Sequence, residues 1–424
     1  MYDTKRDELK LLFLTFLLCM VCFLNLAFIN DKQTFDKRAI VLGVIICVLI
    51  GYSFFVIRRF FPDGDKYIFL FACILAVLGL VMLYRLDILN DLLHRTDVMN
   101  KAKYPRPATS YAIKQIVWFA LGVTGYILIV VLLPSFKGFV KYKYVYLVFT
   151  LIFASMSMLI GTEVYGSKNW VYIGGVSFQP SEFAKLFLVA YLASALNNYK
   201  NFKQLIEPAI VVMITLGFMV LQKDLGSALI FFAISITMLY IATSKFKYVF
   251  TCFILFAVGS VISYKLFDHV RLRVLIWQNP WPYANDKGYQ IVQSMLQIAS
   301  GGLTGTGLGL GHPEYVPVNA TDFIFSSICE EMGILVGFAI LIIFFLLFYR
   351  CMRAAVYVEN EFSRLVAVGY SSMIAAQVLV IVGGVINMIP LTGITLPLVS
   401  YGGSSMMITF FALAIIQKIS EEGR

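Results

Sequence analysis

The chain has 424 residues, of which 60% are hydrophobic and only 14% charged, and its mean hydropathy is +0.83. That leaves too little charged surface to keep a fold of this size in water, so a soluble globular protein is excluded. The net charge of +10 is not gathered into a basic block with interleaved aromatics, so it is assigned to the basic loops of a membrane protein rather than to nucleic-acid binding. The apolar runs lack strand-like alternation, which excludes a β-barrel.

The first run, LLFLTFLLCMVCFLNLAFI, follows Lys5, Arg6 and Lys10. It resembles a signal peptide but is too long and has no small-residue cleavage site, so it is read as a retained span. Runs of bilayer-crossing length then continue to the end, giving about twelve helices near 11–29, 39–57, 67–84, 111–133, 143–161, 181–197, 205–221, 226–243, 247–267, 322–349, 365–387 and 405–419. The expected fold is an all-α polytopic membrane helix bundle. Short loops rich in Lys and Arg (Arg58, Arg59, Lys66; Lys137, Lys141, Lys143; Lys200, Lys203; Lys245, Lys247; Arg350, Arg353, Arg364) and both termini are placed in the cytoplasm. The outer side receives the connections 85–110, 162–180, 268–321 and 388–404, with Arg85, Arg95, Lys101, Lys103, Arg271 and Arg273 as basic exceptions. Loops this long tend to carry function.

Several motifs have plain readings. The seven Cys, including the CxxC of Cys19 and Cys22, have no metal-ligand or disulfide framework around them. SGGLTGTGLGLG (300–311) has no GK[ST] after it and no strand before it, so it is read as flexible backbone rather than a phosphate loop. His94, His269 and His312 lack ligand spacing.

Charges in or beside spans are costly in lipid and mark function by default. Glu182 and Lys185, three apart after Gln179 and Pro180, can pair on one helix face, either as a structural ion pair or toward substrate. Lys223 and Asp224 lie in a turn between two spans. In VNATDFIFSSICEE (318–331), Thr321 is a candidate N-cap, which puts Asp322 in the first helical turn, ionised and facing the outer aqueous edge. Glu330 lies ~12 Å deeper by helical rise, and Glu331 faces away from Asp322. Both are expected to hold helices or polar substrate groups inside the bundle.

Four stretches, GSKNWVYIGGVSFQPSEFAKL, LQKDLGSALI, NPWPYANDKGYQIVQSMLQIASGGLTGTGLGLG with YVPVNATDFIFSSICEEMG, and MIPLTGITLPLVSYGGSS, resemble the SEDS family (FtsW, RodA and SpoVE) in its order, over about residues 67 to 420. The resemblance implies a ten-helix core at 67–424 with the long extracellular loop 268–321, and makes residues 1–66 a two-helix N-terminal extension. It implies a peptidoglycan glycosyltransferase of the bacterial cytoplasmic membrane that polymerises lipid II at the outer face with a class B penicillin-binding protein, in division, elongation or sporulation. The family's essential aspartate falls on Asp322, its functional tryptophan on Trp170, and a family arginine on Arg273. The chain departs from the family at Tyr165-Gly166, where an Asn-Gly pair is usual, and at Asn169, where an arginine is usual, with Lys168 the cation beside it. Gln222-Lys223-Asp224 replaces the triplet QPD.

The reaction fits these residues. A glycosidase needs two carboxylates because its leaving group must be protonated; pyrophosphate leaves as a stable anion, so one base, Asp322, suffices. The leaving group needs positive charge, for which Lys168, Lys223, Arg271 and Arg273 are candidates. No cofactor is required, and a divalent cation, Mg or Mn, held by the pyrophosphate would add to them. The competing readings are a lipid II flippase, with Glu182, Lys185, Glu330 and Glu331 along a path, and a scaffold for the penicillin-binding protein.

Overall fold

The structure is a computed structural model that describes residues 2–28, 35–96, 110–133, 135–164, 167–174 and 176–423. Lys101 and Lys103 of the first connection, and the Tyr165-Gly166 pair, lie outside the described residues.

Fifteen α-helices are described: α1 Tyr2–Phe28, α2 Lys37–Phe60, α3 Tyr67–Thr96, α4 Tyr111–Leu132, α5 Lys143–Ile160, α6 Pro180–Leu196, α7 Ile206–Leu221, α8 Leu225–Thr243, α9 Phe246–Leu266, α10 Asp268–Gln278, α11 Tyr289–Gly301, α12 Ile324–Met332, α13 Ile334–Tyr357, α14 Glu361–Val385 and α15 Gly403–Glu422. Eleven are long and apolar enough to cross a membrane, and α6, with 17 residues, falls just short. The protein is a multi-pass membrane helix bundle. Its pole is α3, whose apolar window is 94% buried, followed in burial by α14 and α15 at 78% and 72%; α9, at 6%, lies almost wholly on the outside. Glycine lets α4 and α15 approach: a Cβ at Gly122 would stand 2.9 Å from the Phe410 ring and one at Gly125 2.2 Å from that of Phe411.

The expected span 322–349 is two helices. The chain breaks at Gly333 (φ +86°), between α12 and α13, because the 301–311 segment packs against the break: Ile334 N donates to Gly302 O at 3.0 Å, and Gly307 N to Glu331 O at 2.9 Å. The expectation of flexible backbone for 300–311 is therefore corrected. A Cβ at Gly301 would lie 2.1 Å from Cys329 O, and one at Gly305 (φ +85°) 2.4 Å from Glu331 O. These glycines are required by contact and by a left-handed backbone, not by looseness. Gly305→Ala is expected to cost at least about 2 kcal/mol, read as a lowered thermal midpoint of the purified protein.

Two further expectations change. Arg85, read as an outer-loop charge, lies in α3, which runs on to Thr96, and is buried against Glu331 at 3.0 Å. The connection 162–180 is not irregular: β1 Thr162–Val164, β2 Ser167–Ile173 and β3 Val176–Phe178 form an antiparallel sheet. It is pinned to the α7–α8 turn by Lys168 N donating to Gln222 O at 3.1 Å and by Ser167 Oγ donating to Lys223 O at 3.2 Å.

Candidate active site

The α7–α8 turn supplies the first fixed charge. Lys223 takes a left-handed backbone (φ +59°), which turns Asp224 in to cap α8. Asp224 accepts from Ser227 N at 2.9 Å and Ser227 Oγ at 2.8 Å, and from Asn169 Nδ2 at 3.3 Å and Gln179 Nε2 at 3.4 Å. With that many donors its carboxylate is held in one pose. Asp224→Ala removes a cap and strands buried amides, so a loss of about 2–4 kcal/mol in unfolding free energy is expected, checked by thermal or denaturant unfolding in detergent.

Asp322 sits in the turn before α12. Helix α12 begins at Ile324 with Phe323 at its N-cap position, so the expectation of Asp322 in a first helical turn capped by Thr321 is corrected. The turn starts at Val318 (φ +61°), and Thr321 N donates to Val318 O at 3.2 Å. It is strapped to the 396–401 turn, where Tyr401 N donates to Ala320 O at 2.8 Å and Ser400 Oγ to Thr321 O at 2.5 Å. Gln115 of α4 locks that turn, donating to Ser400 O at 3.0 Å and accepting from Gly402 N at 3.2 Å. The backbone at Gly393 (φ +71°) runs beside the carboxylate, close enough that a Cβ there would lie 3.6 Å from Oδ2.

Asp322 keeps a partly exposed edge, yet protein surrounds its carboxyl. Burial pushes its pKa up to about 6, against the Thr321 hydroxyl and the Arg273 guanidinium, while nearby Asp224 adds to the rise. Sequence reasoning expected a dipole-stabilised, fully ionised acid; lost hydration outweighs that field here because the residue stands outside the helix. Arg273 on α10 feels both Asp224 and Asp322, and its Nη1 is buried with no hydrogen-bond partner among the described residues. Thr392 Oγ1, next to Gly393, is in the same condition.

The site is thus Asp322, Arg273 and Asp224, with Asn169, Thr392 and Gly393 around them. Asp224, Asn169 and Thr392 were not expected as site residues; the signal for Asp224 was its place just before LGSA, a capping pattern masked by the simpler reading of a turn. Trp170 follows Asn169 on β2. Asn169 and Val171 take the buried face, so Trp170 and Tyr172 take the opposite one, Trp170 only half-buried.

Other expected site residues point elsewhere. Lys168 Nζ donates to Met158 O at 2.9 Å at the end of α5. Lys223 is exposed, 3.7 Å from Glu163. Arg271 lies on another face of α10 from Arg273. Glu182 and Lys185 form a buried pair at 2.8 Å, and Lys185 also reaches Gln377 Oε1 at 3.1 Å, tying α6 to α14. Glu330 Oε1 accepts from His312 N at 3.0 Å, and Glu331 binds Arg85 and Gly309 N, so both hold the glycine-rich segment.

The model of the cell cycle protein family of FtsW, RodA and SpoVE matches residues 65–424. The chain belongs to this family. It is 35% identical over 401 residues to the peptidoglycan glycosyltransferase RodA of Mycobacterium tuberculosis, covering 90% of this chain and 83% of that one. It is also 35% identical over 273 residues to the stage V sporulation protein E of Bacillus subtilis, covering 62% and 74%. Among solved structures, a peptidoglycan synthase complex that coordinates polymerization and crosslinking matches with a TM-score of 0.69 at 25% identity, over 85% of this chain and 98% of the matched one. RodA of Thermus thermophilus matches with a TM-score of 0.59 at 25% identity, over 84% and 96%.

Proposed function

We propose that this family member, a peptidoglycan glycosyltransferase, polymerises lipid II at the outer face of the cytoplasmic membrane, with Asp322 as general base and a class B penicillin-binding protein as partner. The observation that carries the reading is the carboxyl of Asp322, on a residue with a partly exposed edge, near the Arg273 guanidinium, whose Nη1 has no hydrogen-bond partner among the described residues. Asp322 takes the proton of the acceptor 4-hydroxyl as its oxygen attacks the anomeric carbon of the donor sugar; the glycosidic bond forms with inversion, and the bond to the polyprenyl pyrophosphate breaks. Arg273 meets the charge that gathers on the departing pyrophosphate. Asp224 stays spectator to the proton, its oxygens already engaged, and holds Asn169 beside the cleft.

Among the described residues no group of three or more His, Cys, Asp or Glu is arranged to hold a metal. A divalent cation, Mg or Mn, carried by the substrate's own pyrophosphate would add positive charge to the leaving group. The flippase reading has less support, because the inward charges Glu182 with Lys185 and Glu331 with Arg85 are spent on one another. Coverage of 90% of the chain by mycobacterial RodA, against 62% by the sporulation protein, favours a cell-shape role.

The test uses the purified full chain in proteoliposomes with lipid II, alone and with a class B penicillin-binding protein whose transpeptidase is inactivated. Glycan strands on a gel are the expected product, with the partner raising the yield. Transfer of labelled lipid II across the bilayer with no polymer under either condition would overturn the proposal.

A further inference from the structure

Helix α10 carries two arginines two residues apart, and at 100° per residue they point about 160° away from each other. They cannot grip the same group. Arg273 turns to Asp322 and Asp224, whereas Arg271 is exposed and, with Lys287, lines a hollow of 320 Å³ walled by Asp268, His269, Leu272 and Leu275. The place matters as well. The lipid-facing helix α9 ends at Leu266, 71% exposed, and α10 starts two residues later, so the hollow lies where the chain leaves the apolar layer. That is the level of lipid phosphates, on the side where the usual distribution of Lys and Arg does not call for cations.

The reaction brings two lipid-linked sugars together, and therefore two pyrophosphates. One departs; the other stays bonded to its sugar. We infer that the hollow of Arg271 and Lys287 binds the pyrophosphate of the lipid-linked substrate whose anomeric bond is not broken, while Arg273 serves the one that leaves. Asp268 on the wall leaves the hollow a net of one positive charge from Arg271 and Lys287, so this pyrophosphate arrives with its own counter-cation. The leucines take the start of the polyprenyl chain. The inference rests on the polymerase reading above.

The two charges of the hollow act on a group that does not react, so they bind ground state and transition state alike, and their loss appears in KM rather than kcat. Initial rates against lipid II concentration are measured for the full chain in phosphatidylcholine vesicles, and again with phosphatidylglycerol added. Arg271→Ala/Lys287→Ala is expected to raise the half-saturating lipid II roughly tenfold in both vesicles with kcat retained, and Arg271→Lys/Lys287→Arg to restore it. Wild-type polymerisation with an unchanged KM in the double variant overturns the inference while leaving the polymerase reading intact. A KM shift seen only with phosphatidylglycerol also overturns it, since the hollow then reads bulk anionic lipid. No polymer from the wild type removes the reading beneath it.

Discussion

Asp322→Asn is expected to abolish glycan synthesis, by a factor of about 10²–10⁴, while leaving a folded and more heat-resistant protein. The two effects share one cause. The amide fills the same space and keeps a carbonyl for the neighbouring donors, but it accepts no proton from the attacking hydroxyl. The charged carboxylate, by contrast, costs the fold energy. A carboxyl whose folded pKa is raised from 3.8 to about 6 contributes stability that is present while it stays protonated, below its unfolded value, and is lost as pH rises through about 6. At neutral pH the ionised group therefore destabilises the protein by about 3 kcal/mol at most, and the amide removes that burden. Midpoints of variant and wild type should converge near pH 4 and separate above pH 6. Activity of the wild type should run the opposite way, climbing with pH and reaching half its plateau near 6, because only the anion is a base. A wild-type rate that is flat between pH 5 and 7.5, or normal polymer from Asp322→Asn, would remove the carboxylate from the chemistry.

The bundle was legible in the sequence because spanning a bilayer leaves little choice: backbone groups must pair within the segment, so apolar run length alone locates helices. The same rule has no grip on segments that leave the hydrocarbon layer. The sheet at 162–178 and helix α10 were read as parts of long outer connections for that reason. The break at Gly333 was hidden by continuous hydrophobicity on either side, since its cause is contact with residues some thirty positions earlier. Asp322 stood out because its motif was intact, yet its protonation was misjudged, as desolvation depends on what surrounds a carboxyl and not on what adjoins it in the chain. Arg273 was found by its motif, and Asp224 was passed over because a saturated capping acid and a surface turn look alike in one dimension.

Glu331→Ala is expected to be the most destabilising single change, at about 3–5 kcal/mol, and to lower activity only by loosening the site. Arg85 and Glu331 have side chains 3% and 0% exposed, so neither charge has water to fall back on. Arg85 Nε donates to Glu331 Oε1 at 3.0 Å, and its Nη2 to Gly309 O at 3.0 Å and Gly311 O at 3.3 Å, while Glu331 Oε2 accepts from Gly309 N at 2.9 Å. One ion pair thus clamps α3, α12 and the 301–311 segment, and α12 is the helix that follows the Asp322 turn. Removing the acid strands a guanidinium at the pole of the bundle. Arg85→Met/Glu331→Leu strands neither charge, so it should recover part of the stability lost in the single variants, a coupling that a double-mutant cycle of thermal midpoints reads directly. If Glu331 instead touched substrate, Glu331→Ala would lose activity at an unchanged midpoint, and Arg85→Met would not reproduce its effect.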